Sequence, residues 1–213
     1  MRRHHRGRAR LRRRERPAVL ELLERPSTEV APLLLGGLLT VDGVTLRITE
    51  VEAYLGEVDP GSHAFRGPGK RNAVMYGPAG RLYTYFTYGM HVCANVVCSP
   101  PGVASAVLLR AGEVVDGIDI ARMRRTTSRT DADLARGPAR LCVALGITLD
   151  DGGADLAGPR IRLEPPTEPS PYETGPRTGV SGPGGTDEYP WRFWIPGDPT
   201  VSPYKASVPK RRY

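Results

Sequence analysis

Glycine and proline interrupt this chain so often that long regular segments are scarce: its 213 residues include 25 glycines and 21 prolines. Proline removes a backbone donor and glycine weakens a helix interior, so the pattern favours turns and short strands over a helical bundle. Two β-hairpins are indicated, one at Asp42-Gly43 and one with its tip around Tyr88-Gly89-Met90. We therefore predict a single α+β domain: a mostly antiparallel sheet with a protruding β-hairpin, surrounded by short helices.

Local patterns place the individual elements. Pro17 to Glu24 has proline at a favourable first-turn position, which predicts a short helix. Pro138 to Leu145 is predicted as another helix, which Gly146 is placed to end. Residues 56–80 form a loop rich in glycine, proline and polar residues, a length typical of functional or disordered loops. The other predicted elements are a helix over 116–125 and strands over 38–41, 44–54, 82–88, 91–98, 105–110, 161–163 and 191–195.

The positive charge is confined to the first residues. Residues 1–16 carry nine arginines and one glutamate, whereas the rest of the chain has 21 basic and 22 acidic side chains. A run of like charge this dense repels itself, so we expect a disordered arm over 1–16 and a folded domain over 17–213. Such an arm either contacts nucleic acid or is a non-essential extension, and the sequence leaves both readings open.

Cysteine content and hydropathy bear on the compartment. Three cysteines are too few for a disulfide framework or a four-cysteine cluster. No apolar run reaches the ~20 residues that a membrane span requires, and the basic start has no apolar segment of a secretory signal. We expect a reduced, cytoplasmic protein, associated with the nucleoid if it is bacterial, with no membrane partner.

The first cluster of chemically capable residues is Glu50-Val51-Glu52-Ala53-Tyr54. Side chains alternate along a strand, so Glu50, Glu52 and Tyr54 share one face. Two readings stay open on spacing alone. The segment could be a solvated edge strand, or Glu50 and Glu52 could bind a metal with Asp59 and His63, although this set matches no standard ligand spacing.

The second cluster is aromatic. Tyr83 and Tyr85 share one face of a predicted strand, while Tyr88 belongs to the opposite face or to the following turn. An aromatic stripe in a strand is more often core than a ligand platform. A tyrosine and Met90 at a hairpin tip are harder to bury, and an apolar tip has the shape of a wedge that enters the minor groove of DNA.

Several short motifs connect these clusters in a fixed order. They are Glu52-Ala53-Tyr54-Leu55-Gly56, Ser62-His63, Lys70-Arg71-Asn72, Gly80-Arg81-Leu82-Tyr83-Thr84-Tyr85, Tyr88-Gly89-Met90, Cys93-Ala94-Asn95, Leu108-Leu109-Arg110-Ala111 and Gly137-Pro138-Ala139-Arg140-Leu141-Cys142. Together they closely resemble the alkyladenine DNA glycosylase family, the 3-methyladenine DNA glycosylases of the mammalian type. The resemblance covers nearly the whole chain from about Pro17, and not the arm.

The resemblance implies roles for individual residues. Glu52 matches the general base, which deprotonates one water for attack on C1′ of a flipped nucleotide. Arg110 matches the arginine that helps to position this water. The flipped purine would lie between the aromatic side chains of Tyr54, His63 and Tyr85, and such stacking tolerates several damaged bases.

Three further positions follow from the same resemblance. Asn95 takes the place of the residue that screens the base edge and disfavours normal guanine. Thr178 takes the place of a residue whose main-chain carbonyl serves the site, with threonine replacing the usual apolar side chain. Tyr88 takes the place of the tyrosine that intercalates from the minor groove after the nucleotide is flipped.

DNA contacts and the reaction type complete the implied picture. Met90, Lys70 and Arg71 are expected to contact DNA. A strand-cleaving glycosylase needs an amine nucleophile, and of the three lysines only Lys70 is expected near the site, where a phosphate contact suits it better. The resemblance thus implies a monofunctional, monomeric glycosylase that needs no cofactor and acts on double-stranded DNA containing a damaged purine.

Two other function classes stay open. A catalytically inactive DNA-damage-binding protein would keep the wedge but not the chemistry, although Glu52, Arg110 and the aromatic residues are all present. A metal-dependent hydrolase would use Glu50, Glu52 and His63. If Glu50 is not catalytic, Glu50→Gln should affect base release much less than Glu52→Gln.

Overall fold

Eight strands pair into one antiparallel sheet in the computed structural model, which describes residues 18–87 and 89–207. The predicted arm over 1–16 and Tyr88 therefore lie outside the described residues. The strands are β1 (Leu38–Val41), β2 (Val44–Tyr54), β3 (Leu82–Thr87), β4 (His91–Val97), β5 (Ala106–Asp116), β6 (Ile161–Glu164), β7 (Glu173–Gly175) and β8 (Arg192–Trp194). The helices are α1 (Ala18–Leu23), α2 (Ser27–Leu34), α3 (Ile118–Arg124) and α4 (Pro138–Leu145).

The sheet order is β3-β4-β5-β2-β1-β6. β8 pairs with residues 50–52 of β2 and carries β7 on its other side. The predicted single α+β domain with a mostly antiparallel sheet and short helices is confirmed. The Asp42-Gly43 hairpin is confirmed as well: both residues have positive φ, +43° and +80°, as the favoured two-residue hairpin turn requires.

Three elements differ from the sequence prediction. Helix α2, which contains Pro32, is not predicted from the sequence, because proline normally ends a helix pattern. The short strand β7 is not predicted either. The predicted strand over 105–110 continues to Asp116, past Gly112, whose backbone lies so close to Arg47 that a side chain would not fit.

The edge-strand reading of Glu50 to Tyr54 is wrong. This part of β2 pairs with β5 on one side, and residues 50–52 pair with β8 on the other. Glu50 and Glu52 have no exposed surface. Both carboxylates therefore lie in the interior and need partners there.

The two faces of the sheet differ in what covers them. The main hydrophobic core lies on one face, under α2 and α4. Because strand neighbours point to opposite faces, Leu82 enters this core while Tyr83 points to the other face. There a smaller cluster packs beneath the long loop that precedes β3, and the remaining space forms a cavity.

All three cysteines, Cys93, Cys98 and Cys142, are buried free thiols. Within the described ranges, no helix is long and apolar enough to cross a membrane.

Candidate active site

Four neighbouring strands contribute one transverse row of side chains to the cavity. Tyr83 pairs with Asn95, Asn95 with Leu108, and Leu108 with Glu52. Paired residues point to the same face of a sheet, so these four side chains all face the cavity, whose volume is about 930 Å³. The sheet register thus brings together two clusters that are about 30 residues apart in sequence.

Glu52 lies at the end of this row and is held by two hydrogen-bond donors and one ion-pair partner. The hydroxyl of Tyr54 donates to Oε2 at 2.8 Å, and the backbone N–H of Thr178 donates to Oε1 at 2.7 Å. Nη1 of Arg110 lies 3.3 Å from Oε1. Burial and the negative charge of Glu52 raise the pKa of Tyr54 well above its ordinary value, so Tyr54 remains a donor. The arrangement holds the Glu52 carboxylate in one orientation at the cavity wall.

The second buried carboxylate, Glu50, holds Arg110 in place. Its Oε1 accepts from Nε of Arg110 at 2.8 Å and from Nε of Arg192 at 2.7 Å, and its Oε2 accepts from the N–H of Ser202 at 2.7 Å. Burial opposes ionisation of Glu50, but Arg110 and Arg192 hold its pKa below the ordinary value. Burial also opposes the charge on Arg110, yet Glu52 and Glu50 raise the pKa of that guanidinium.

The structure does not assemble the metal site considered from the sequence. Both oxygens of Asp59 accept from Arg177, at 2.6 Å each, and Glu50 is paired with two arginines. His63 contacts tyrosines instead. Among residues 18–87 and 89–207, no group of three or more His, Cys, Asp or Glu side chains is arranged to hold a metal ion.

The aromatic side chains line a slot beside Glu52. The His63 ring meets Tyr85 edge-on at 4.6 Å between centroids, and its Nδ1 lies 3.1 Å from the Tyr83 hydroxyl. Asn72 fixes the loop here, because its Nδ2 donates to the carbonyl of His63 at 3.0 Å. Tyr54, His63 and Tyr85, the three residues to which the family resemblance assigns stacking, all line the cavity.

The charge of this slot depends on His63. Although its side chain is exposed at the cavity mouth, partial desolvation and the nearby Arg71 lower its pKa. The imidazole is therefore neutral at neutral pH. A neutral ring can stack on a cationic aromatic ligand without charge repulsion.

Asn95 and Thr178 both border the cavity. Asn95 is buried, and its Nδ2 donates to the carbonyl of Tyr83 at 3.0 Å, which fixes the amide in one orientation. At Thr178 the family resemblance implies a role for the main-chain carbonyl, whereas the contact to Glu52 is made by the backbone N–H. The Thr178 hydroxyl is buried and has no hydrogen-bond partner among the described residues.

The three predicted DNA contacts, Met90, Lys70 and Arg71, are all exposed, and none of them lines the cavity. Met90 is 67% exposed beyond the end of β3, and the neighbouring Phe86 is 48% exposed. The guanidinium of Arg71 lies 5.5 Å from the centre of the Tyr85 ring and donates to the carbonyl of Phe86 at 3.3 Å. Lys70 precedes Arg71 on the same loop and makes no contact to the Tyr85 ring like that of Arg71.

One lysine at the cavity is not predicted from the sequence. Lys205 lines the cavity, whereas the family resemblance places only Lys70 near the site. The C-terminal segment is brought to the site by the N–H of Gly179, which donates to the carbonyl of Lys205 at 2.9 Å. No local pattern in the sequence indicates this contact, because the two residues are far apart along the chain.

Known proteins resemble this chain over most of its length. A family model described as methylpurine-DNA glycosylase (MPG) matches residues 21–199. A protein of Leifsonia xyli subsp. xyli is 63% identical over 84% of this chain and 88% of its own length. One from Streptomyces avermitilis is 53% identical over 92% of this chain and 95% of its own length. Both bear the name "Putative 3-methyladenine DNA glycosylase".

Proposed function

This chain belongs to the methylpurine-DNA glycosylase family, and from that membership we propose that it is a monofunctional DNA repair glycosylase. Its substrates are alkylated or deaminated purines in duplex DNA: 3-methyladenine, 7-methylguanine, hypoxanthine and ethenoadenine. The enzyme flips the damaged nucleotide into the cavity and hydrolyses the N-glycosidic bond, which starts base excision repair.

The observation that carries the proposal is the fully buried Glu52 carboxylate beside a slot of aromatic rings. Tyr54 and Thr178 each donate one hydrogen bond to it, and Arg110 lies within ion-pair distance. A carboxylate oriented in this way can deprotonate one water for attack on C1′ and stabilise the positive charge that develops on the sugar.

The leaving base sets a second requirement. A cationic alkylpurine leaves without help from an acid, whereas a neutral base such as hypoxanthine leaves readily only when it is protonated. The slot between Tyr54, His63 and Tyr85 accepts both kinds of base, because every base presents a π-face for stacking. Asn95, whose amide is fixed by Tyr83, is the proposed screen against normal guanine.

The absence of a lyase step is part of the proposal. A lysine that forms a Schiff base is normally activated by a desolvated or cationic pocket. Lys70 and Lys205 are both exposed to solvent. We assign them, with Arg71 and Met90, to contacts with DNA around the cavity mouth.

We further propose that residues 17–213 act as a monomer in the cytoplasm, on the nucleoid in a bacterial cell, and that no cofactor is required. Residues 17–213 have almost no net charge. The phosphates of DNA are therefore attracted by the basic residues around the cavity and by the arm over 1–16.

One experiment tests the proposed function. The protein is incubated with duplexes that each carry one of the four lesions, with and without a chelator, and free base is separated from strand breaks. We expect free base, no strand breaks before alkali treatment, and no effect of the chelator. Binding without base release would identify an inactive damage-binding protein, and loss of release with chelator would identify a metal-dependent hydrolase.

Tyr88, which the sequence places between the last residue of β3 and Gly89, gives a further prediction. We expect Tyr88→Ser to leave the melting temperature nearly unchanged but to weaken flipping, since the side chain that fills the vacated stack is lost. The loss in flipping rate should be largest for lesions in stable base pairs and smallest for mismatched lesions. Melting curves and flipping rates on paired and mismatched ethenoadenine check this. A large fall in melting temperature with a uniform loss of activity would show a core tyrosine instead.

The lowered pKa of His63 predicts a pH effect on substrate choice. His63 is protonated only at a pH below the ordinary histidine pKa of about 6.5. The protonated ring places a positive charge beside the stacked base. Affinity for the cationic 7-methylguanine should therefore fall at acidic pH more than affinity for the neutral ethenoadenine. Binding is measured with Glu52→Gln so that neither base is released. In the double variant carrying His63→Phe the two pH profiles should run parallel, and a persistent difference would contradict the assignment to His63.

A further inference from the structure

Arg177 is a fully buried arginine that joins three segments of the site. Its two terminal nitrogens donate to the two oxygens of Asp59 at 2.6 Å each. One of them also donates to the carbonyl of Ala53 at 2.9 Å, and the other to the carbonyl of Gly184 at 2.8 Å. The guanidinium thus ties the end of β2 to the loop after it and to the C-terminal loop.

Each of these segments carries a side of the base slot. The Arg177 guanidinium lies 4.5 Å from the centre of the Tyr54 ring, on which the flipped base is proposed to stack. The next residue, Thr178, donates its N–H to Glu52 at 2.7 Å. Displacing Arg177 would therefore move both the stacking platform and one of the three groups that hold the carboxylate.

Asp59 organises the opposite side of the slot. Its oxygens also accept from the N–H of Leu55 at 3.1 Å and from the N–H of Gly61 at 2.8 Å. These bonds close the turn that leads to His63, two residues beyond Gly61. The ion pair consequently links Tyr54 and His63, the two proposed walls of the slot.

Two glycines leave the space that the Arg177 guanidinium occupies. A Cβ atom on Gly61 would lie 2.5 Å from Nη2 of Arg177, and one on Gly184 would lie 3.0 Å from the same atom. Trp191 covers the guanidinium from another side, 5.2 Å from the ring centre. A buried ion pair is weak evidence for stability, since an apolar replacement of similar volume often serves as well. Its bidentate geometry instead fixes the relative orientation of the segments that it joins.

We propose that Arg177 and Asp59 form a clamp that positions the base slot and Glu52 for the chemical step. The proposal rests on the proposed function, which it deepens by assigning two positioning residues. Neither side chain lines the cavity, so both act through Tyr54, Thr178 and His63 rather than on the reacting atoms.

The test compares Asp59→Asn with Asp151→Asn. Asp151 is also buried and paired with an arginine, Arg160, but it lies outside the cavity lining. Single-turnover release of ethenoadenine is measured at saturating protein, with affinity for an abasic-site duplex and the unfolding midpoint measured alongside. We expect Asp59→Asn to slow release about 10²-fold, the scale of a misplaced catalytic group, with affinity nearly unchanged, and Asp151→Asn to release base at the wild-type rate.

A second variant keeps the test valid if Asp59→Asn does not fold. Gly61→Ala removes no charge but pushes against Nη2 of Arg177, and it should also slow release more than it weakens binding. Release at the wild-type rate in folded Gly61→Ala or Asp59→Asn would overturn the clamp alone. A wild-type protein that binds lesions but releases no base would instead overturn the proposed function, and the clamp with it.

Discussion

Glu52→Gln should abolish base release while leaving the binding of an abasic-site duplex nearly intact. A glutamine side chain keeps the shape of glutamate but cannot take a proton from water, and general-base assistance is worth about 10²–10⁴-fold in rate. The neutral amide also loses the negative charge that would stabilise the developing cation on the sugar. Single-turnover rates on ethenoadenine duplexes measure the loss, and gel-shift or anisotropy titrations measure binding.

The matched control is Glu57→Gln, because Glu57 is an exposed carboxylate that also bonds a tyrosine hydroxyl, that of Tyr76 at 3.1 Å. It should release base at the wild-type rate. Folding of Glu52→Gln should survive, since Arg110 keeps its shorter contact to Glu50. Wild-type rates in a folded Glu52→Gln variant would show that Glu52 is not the base.

The parts of the fold that follow local rules were predictable. The Asp42-Gly43 turn and the flanking alternation determine the first hairpin, and Gly146 ends α4 with positive φ, as a glycine at a helix end should. The helix α2 escaped prediction because Pro32 breaks the local pattern, while burial of Val30 and Leu34 against β2 stabilises it. Tertiary packing overrides propensity there.

Some features of the candidate site were likewise predictable from local rules, and others were not. Alternation along β2 and β3 correctly places Glu52 with Tyr54 and Tyr83 with Tyr85, because the period of a strand is two residues. The partners of the buried charges could not be predicted from the sequence. Arg177 meets Asp59 across 118 residues, and Arg192 meets Glu50 across 142. Nothing in the local sequence at either end of such a pair indicates its partner.

Glu50 shows the consequence of that gap. The sequence shows Glu50 only as a neighbour of Glu52, the proposed general base, and predicts a much milder effect of Glu50→Gln than of Glu52→Gln on base release. In the structure it neutralises Arg110 and Arg192 and accepts from the backbone of Ser202, all within the interior. Its removal should act first on folding, and on catalysis through the position of Arg110.

Glu50→Gln is therefore expected to lower the free energy of unfolding by about 3–5 kcal/mol, the usual cost of leaving a buried charge without its partner. The comparison is Glu113→Gln, which removes a carboxylate from the same sheet whose side chain is 49% exposed and paired with Arg47. That surface pair should contribute less than about 1 kcal/mol. Denaturant unfolding of the two variants and the wild type measures both losses.

The pH dependence of the free energy of unfolding distinguishes the contribution of the Glu50 charge from that of its packing. Because its pKa is lowered in the folded state, ionised Glu50 stabilises the fold above the ordinary glutamate pKa of about 4.3, and this contribution disappears as the pH falls through the lower folded value. Glutamine does not titrate, so the stability gap between wild type and Glu50→Gln should be full at neutral pH and should narrow in acid. A stability gap that stays constant down to acidic pH would assign the loss to packing. A loss as small as that of Glu113→Gln would mean that Glu50 is not needed to compensate the buried charges of Arg110 and Arg192.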